Sequence, residues 1–235
     1  TTFSGGSEYP TINNRFTMLF EFEADESISA FATLESWQGS LPIFYAVGLN
    51  WRLSKSPFLL LRAGKFLAPF GNFLPRRYDS ENPLIGRPIV YNYRHNLSAT
   101  ALPQSYDDLL RTRGRGNALS YDNSPAPTSG MRFFWRESYL TGLQLVGETG
   151  KIRYTLAVTN GALSNTDNVN RSDTFNYAAR LLFTPMIGLH LGASFSSGAY
   201  LDPQRLESEL EAAGKNLESF RQTVFGGDLS YSFGH

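Results

Sequence analysis

Few side chains in this sequence are suited to catalytic chemistry. His190 and Ser194 stand four residues apart, and a serine activated by a histidine would indicate a lipid hydrolase. Four residues along a β-strand span about 13 Å, whereas a nucleophile and its base need contact at about 3 Å. His95 and His235 lack a second ligand at metal-binding spacing. The sequence therefore predicts no enzyme activity, no metal and no organic cofactor.

Arginines are the other candidates, because rings of charge act on solutes that pass along a wall. Four of them fall on the polar side of alternating segments: Arg52, Arg62, Arg153 and Arg180. Three more, Arg111, Arg113 and Arg115, stand together within residues 68–131, a stretch too long to be a simple connection. We expect these seven to line or constrict a pore, with Glu21, Glu23 and Glu35 facing the same lumen. The alternative is that the charges pair with one another inside the wall.

The elements that must position these arginines are β-strands. Apolar and polar residues alternate with a period of two, and long core helices are not indicated. About nine segments carry the pattern: 15–24, 27–36, 43–53, 58–67, 139–148, 152–159, 175–184, 187–196 and 223–233. An amphipathic helix is predicted only over 204–220, where Gly214 weakens it.

The polar side of these strands distinguishes a membrane barrel from a water-soluble sandwich. It carries Gly, Ser, Ala, Thr and Asn with an occasional Arg or Glu, which suits a water-filled lumen, with the aromatic side turned to lipid. From the third connection onward, short turns also alternate with the long loops 68–131, 161–173 and 197–221. Outer-membrane barrels have short periplasmic turns and long extracellular loops, so we expect residues 1–14 to lie outside the cell.

Composition excludes some classes of protein. Lys plus Arg and Asp plus Glu both number 21 in 235 residues, whereas nucleic-acid binders usually carry a basic excess. Cys is absent, as suits passage through an oxidising periplasm. No apolar run approaches the roughly 18 residues of a membrane helix, and no signal peptide opens the chain.

Short motifs relate the chain to a known family. Residues 62–71 read Arg-Ala-Gly-Lys-Phe-Leu-Ala-Pro-Phe-Gly, with further motifs at 82–85, 142–145, 160–161 and 179–185. Over roughly residues 15–235 the chain resembles the phosphate-selective porin O/P-like family. The resemblance implies a homotrimeric, roughly 16-stranded channel that is general or prefers anions. Because the chain is electrically balanced, we expect at most a modest anion preference.

One local ambiguity follows from that motif. If Arg62 faces inward, strict alternation turns Lys65 outward, where it would extend to the membrane interface. Otherwise a bulge at Gly64 resets the alternation.

We therefore expect part of an antiparallel transmembrane β-barrel in a bacterial outer membrane, an internal piece with an odd number of strands. Its predicted function is passive diffusion of small hydrophilic solutes or ions, with outer-membrane lipid as its surroundings. The alternative is a structural sleeve or scaffold that holds a partner protein, for instance at the extracellular loops.

Overall fold

The computed structural model is built almost entirely from β-strands. It describes residues 2–4, 11–13, 15–37, 40–76, 88–93, 97–99, 102, 105–106, 131–134, 138–166 and 174–233. A small antiparallel pair at the start comprises β1 (Thr2–Ser4) and β2 (Thr11–Asn13). The main sheet comprises β3 (Arg15–Glu23), β4 (Ile28–Trp37), β5 (Ile43–Lys55), β6 (Phe58–Leu67), β7 (Tyr139–Thr149), β8 (Ile152–Asn160), β9 (Phe175–Met186), β10 (Leu189–Ala199) and β11 (Arg221–Tyr231).

The main sheet is an antiparallel meander in which every strand pairs with its neighbours in sequence. Its order runs from β3 to β11 without a crossover, which confirms the predicted all-β fold of about nine antiparallel strands. Among the described strands, β3 and β11 each pair on one side only, so the sheet is not closed. β1 and β2 form a pair that the alternation pattern did not predict.

Connections of different length leave opposite ends of the sheet. At the turn end, residues 24–27, 56–57, 150–151 and 187–188 join successive strands. Gly150 and Gly188 have φ values of 55° and 84°, a region that glycine enters at little cost, which suits tight hairpins. At the loop end, the connections are residues 38–42, 68–138, 161–174 and 200–220.

The long connections contain the helical structure. A 3-10 helix (Leu74–Arg76) and α1 (Ile89–Asn92) lie in 68–138, whereas α2 (Pro203–Ala212) and a 3-10 helix (Leu217–Ser219) lie in 200–220. The prediction of one helix over 204–220 is therefore wrong beyond Ala212. Gly214 ends the helix at φ 61°, and Lys215 N–H donates to the Leu210 carbonyl at 3.0 Å, as in a Schellman motif.

Other boundaries differ from the predicted ones by a few residues. β10 begins at Leu189 and not at 187, because Ile187 and Gly188 form the hairpin turn. The pairing of β5, β6 and β7 continues through Gly64 without a shift of register. Of the two alternatives for Lys65, the bulge at Gly64 is therefore wrong: Lys65 stays on the row of Val47, opposite in direction to Arg62.

Two apolar clusters form where the connections pack. One joins the start and end of 68–138 to the sheet and consists of Ala68, Phe70, Leu74, Tyr91, Phe134, Leu140, Leu163 and Val224; we call it the loop cluster. The other lies beneath α2 and includes Met131, Ala162, Tyr200, Leu201, Leu206 and Leu210. No helix in the described part of the chain is long and apolar enough to cross a membrane.

Candidate functional site

The main sheet has two chemically different faces. One face, the apolar face, exposes large side chains, among them Phe16, Phe20, Leu49, Trp51, Leu143, Leu156, Tyr177, Leu181, Phe225 and Leu229. Leu156 in the middle of β8 is 50% exposed. A contiguous apolar surface of this extent marks a face that contacts something other than water.

The opposite face, the polar face, carries the hydrogen-bonding side chains. Its buried members include Thr33, Glu35, Asn50, Gln144, Thr159, Asn176, Ser194 and Ser196. Strand pairing places Arg62, Gln144 and Ala157 on one row. The sheet thus buries polar groups and exposes apolar ones, the reverse of a water-soluble sandwich.

Arg62 lies at the centre of the first polar cluster. Its Nε donates to Asn50 Oδ1 at 2.8 Å, and its Nη1 donates to Gln144 Oε1 at 3.3 Å. The guanidinium carbon lies 4.8 Å from the centre of the Phe31 ring, within the range of a cation–π contact. No described carboxylate forms an ion pair with Arg62. Two neutral amides and an aromatic ring therefore orient the Arg62 guanidinium.

Arg180 lies at the centre of the second polar cluster and has a different environment. Its Nη1 and Nη2 donate to the two Asp228 carboxylate oxygens at 2.7 and 2.9 Å. Nη1 also donates to Ser194 Oγ at 3.0 Å. The Arg180 and Asp228 side chains are 14% and 17% exposed. Gly192 makes room for the carboxylate, because a Cβ there would lie 2.4 Å from Asp228 Oδ2. The bidentate pair offsets the Arg180 charge locally.

The other two predicted wall arginines lie towards the turn end. Arg153 Nε is 3.3 Å from Glu148 Oε2, and both side chains are about half exposed. Arg52 Nη1 donates to the Glu26 carbonyl at 3.1 Å. All four wall arginines lie on the polar face as predicted. Arg153 and Arg180 pair with carboxylates, as the alternative hypothesis expected, whereas Arg52 and Arg62 form no ion pair with any carboxylate in the described part of the chain.

The chain after β6 folds over the polar face. Gly71 N–H donates to Ser194 Oγ on β10 at 3.0 Å. The Phe70 ring covers Gly226 on β11, where an added Cβ would lie 2.9 Å from the ring. Within the loop cluster, the centre of the Phe70 ring lies 5.3 Å from the centre of the Phe134 ring. The beginning of the long connection is thus packed against the polar face.

Tyr91 brings a titratable group into the loop cluster. Its ring lies 4.7 Å from Phe134 and 4.9 Å from Phe73. Burial raises the pKa of the Tyr91 phenol to about 12, with Arg180 opposing the rise and Asp228 adding to it. Tyr91 is therefore uncharged at neutral pH. The predicted constriction residues Arg111, Arg113 and Arg115, together with His95 and His235, lie outside the described residues.

His190 and Ser194 do not contact each other. His190 Nδ1 lies 3.0 Å from Thr184 Oγ1, whereas Ser194 Oγ accepts from Arg180 and Gly71. The part of the chain that the structure describes contains no group of three His, Cys, Asp or Glu side chains placed to hold a metal.

Sequence reasoning named the arginines but missed the neutral residues that orient them. Asn50 and Gln144, which contact Arg62, carry no charge. Neither do three residues that bond to one another: Asn176 Nδ2 donates to Thr159 Oγ1 at 3.0 Å, and Ser196 Oγ donates to Asn176 Oδ1 at 2.8 Å. Their position in the alternation assigns them to the polar face, and this was the available signal. Which of them touch could not be read from one sequence.

The comparisons with known proteins give no family for the chain. No protein-family model matches it, and no curated protein does. The resemblance to the phosphate-selective porin O/P-like family therefore stays a prediction.

Proposed function

We propose that this chain forms part of the wall of a bacterial outer-membrane β-barrel through which small hydrophilic solutes or ions diffuse passively. The observation that carries the proposal is the reversal of the two faces, with polar groups buried and large apolar side chains exposed. Strands β3 to β11 have 9 to 13 residues, and a tilted membrane-crossing strand needs about 9–11.

The arrangement of connections supports the same proposal. All long connections leave the loop end and all the tight hairpins lie at the turn end. In outer-membrane barrels the long loops are extracellular and the short turns periplasmic. The loop end would accordingly face the cell exterior.

In the proposed barrel, strands beyond the nine described close the wall. Unpaired backbone groups on β3 and β11 would be costly in hydrocarbon, because no water is present to bond them. The proposal therefore includes further strands that pair with both, in a barrel of roughly 16 strands. The resemblance to the porin O/P-like family would make the complete protein a homotrimer.

The charges of the polar face favour a channel of mixed character. Arg180 pairs with Asp228 and Arg153 with Glu148, so only part of the positive charge acts on solutes. Salt screens the potential of the remaining positive charge over distances of about 8 Å. We expect at most a modest preference for anions.

A structural sleeve around a partner protein is the alternative function. Part of the polar face is already covered by the chain's own residues Phe70, Leu74 and Tyr91, which leaves less room there for a protein in the lumen. This observation favours the solute channel.

The membrane location can be tested with two arginine substitutions at nearly the same height in the wall. Leu156 lies on the apolar face, whereas Val146 lies on the polar face opposite Thr155. Leu156→Arg is expected to lower the free energy of unfolding in lipid vesicles by about 2–4 kcal/mol. Val146→Arg should cost much less, because its side chain would reach the lumen beside Glu148. Equal losses would contradict a lipid-facing apolar face.

Channel function can be tested by recording from the full-length protein in planar bilayers. Discrete current steps with weak ion selectivity are expected. A different result is that the protein inserts and loses more stability in Leu156→Arg than in Val146→Arg, and yet carries no current. That result would contradict the channel and support the sleeve.

A further inference from the structure

The contact between the long connection and the opposite wall is small and specific. We call Arg180, Ser194, Gly226 and Asp228 the loop socket, since they surround the bound segment Phe70–Gly71. Ser194 and Gly226 are directly paired across β10 and β11, and Ser194 pairs with Arg180 on β9. Three strands thus contribute to one site on the polar face.

Each residue of the loop socket makes a different contact. Gly226 leaves a gap in the wall, into which the Phe70 ring fits. Ser194 Oγ accepts the Gly71 N–H at 3.0 Å, and a hydroxyl oxygen can accept two such bonds. Arg180 supplies the second bond and so holds the hydroxyl in place. Asp228 in turn fixes both Arg180 amino groups.

A second contact holds the other end of the connection higher on the wall. Gln222 Nε2 donates to the Phe133 carbonyl at 3.3 Å. Gln222 and Gly226 are four residues apart on β11, a distance of about 13 Å along the strand. The loop socket is therefore the deeper of these two anchors, placed where a loose segment would enter the lumen.

We infer that the loop socket pins the Phe70–Gly71 segment against the wall and thereby keeps the passage open. This inference rests on the proposed channel function. When the segment is pinned, the Phe70 ring stays against Gly226 and leaves the rest of the cross-section free. When it is released, the segment and the aromatic rings packed on it enter the passage and block it intermittently.

Two adjacent glycines provide a matched test. A valine at Gly226 would collide with Phe70, whereas the nearest atom to a Cβ at Gly227 is 4.0 Å away. In planar bilayers, Gly226→Val should increase the frequency of brief closures, and Gly227→Val should behave as the parent does. Ser194→Ala is a milder variant that removes only the Gly71 and Arg180 contacts, and it should also increase the closures.

A distance measurement shows independently whether the segment moves. The chain has no cysteine, so spin labels can be placed at Arg76→Cys in the loop and Thr149→Cys at the turn end, both exposed positions. The distance distribution between the labels should broaden in Gly226→Val and Ser194→Ala, but not in Gly227→Val.

The outcomes separate the two levels of the proposal. Broadened distances together with more closures support the inference. Broadened distances with unchanged closures would show that the segment does not affect the passage, and unchanged distances would show that the loop socket does not hold it. If the parent protein carries no current, the channel function and the effect on the passage are both overturned, and the label distances alone decide whether the loop socket is an anchor.

Discussion

Arg62 and Arg180 are the same residue type on the same face of one sheet, yet their surroundings give them different roles. Arg180 is paired in bidentate fashion with Asp228 and helps to hold the Phe70–Gly71 segment. Arg62 is oriented by two neutral amides and the Phe31 ring. A wall arginine therefore contributes to the potential of a passage according to its partners. Its position in the alternation does not decide this.

The largest effect is expected when the counter-ion of Arg180 is removed. Asp228→Ala leaves a largely buried guanidinium without a carboxylate, and breaking a buried pair on one side costs about 3–5 kcal/mol. Because some solvent reaches the pair, we expect a loss of about 3 kcal/mol in the free energy of unfolding, measured by urea titration in lipid vesicles.

Glu148→Ala is the control for that measurement. It breaks the exposed ion pair with Arg153, and exposed pairs contribute at most about 1 kcal/mol. Similar losses in the two variants would mean that the Arg180–Asp228 pair is effectively solvated.

A smaller effect is expected from Tyr91 at alkaline pH. Burial raises the pKa of the Tyr91 phenol from 10.0 to about 12. Tyr91 belongs to α1, which lies in a connection outside the strands. Between about pH 10 and 12 the folded state keeps a proton that the unfolded state loses, so stability falls as pH rises. The Tyr91→Phe variant should lack this part of the decline, about 2 kcal/mol.

The measurement for Tyr91 is a series of unfolding titrations between about pH 9 and about pH 12.5, a window that includes both the ordinary and the raised pKa of the phenol. The chain has 12 tyrosines, so only the difference between the parent and Tyr91→Phe isolates this group. Parallel pH profiles would show that the Tyr91 phenol is not shielded from water.

The smallest effect is expected from neutralising Arg62. Arg62→Gln keeps a hydrogen-bonding side chain beside Asn50 and Gln144 but removes a charge that forms no ion pair with a described carboxylate. Reversal potentials in planar bilayers should shift in the direction of greater cation permeability. The ratio of anion to cation permeability should fall by less than about tenfold, which corresponds to about 1.4 kcal/mol.

The double variant Arg153→Gln with Glu148→Gln is the matched control, because it removes an ion pair without changing the net charge. Its reversal potential should equal that of the parent. Near-ideal anion selectivity in the parent, abolished by neutralising Arg111, Arg113 and Arg115, would instead favour a dedicated phosphate-type channel.

Most of the sheet could be predicted from the sequence because strand alternation is local. The period of two places Leu156 and Arg180 on opposite faces before any pairing is known. The helix was predicted too long because Leu217 and Phe220 continue the apolar spacing beyond Gly214. Positive φ at Gly214 ends the helix all the same, and the remaining residues turn back towards Tyr200.

The roles of the wall residues could not be predicted in the same way. Arg180 and Asp228 are 48 residues apart, and Gly71 and Ser194 are 123 apart. Such contacts depend on the register of several strands at once, and a shift by one residue would turn every side chain to the other face. Neutral residues such as Asn50 and Gln144 also carry no signal in sequence that marks them as partners of an arginine.

The sequence alone predicted the nine strands of the main sheet, their approximate bounds and, apart from Lys65, the face on which their side chains lie, because these follow from local periodicity. The three-dimensional structure was needed to show which arginine is paired with a carboxylate, that Lys65 keeps its place in the alternation, and that Phe70 packs over Gly226. The physical reason is that charge pairing and close packing depend on distances of a few ångströms between residues remote in sequence, and the fold alone sets those distances.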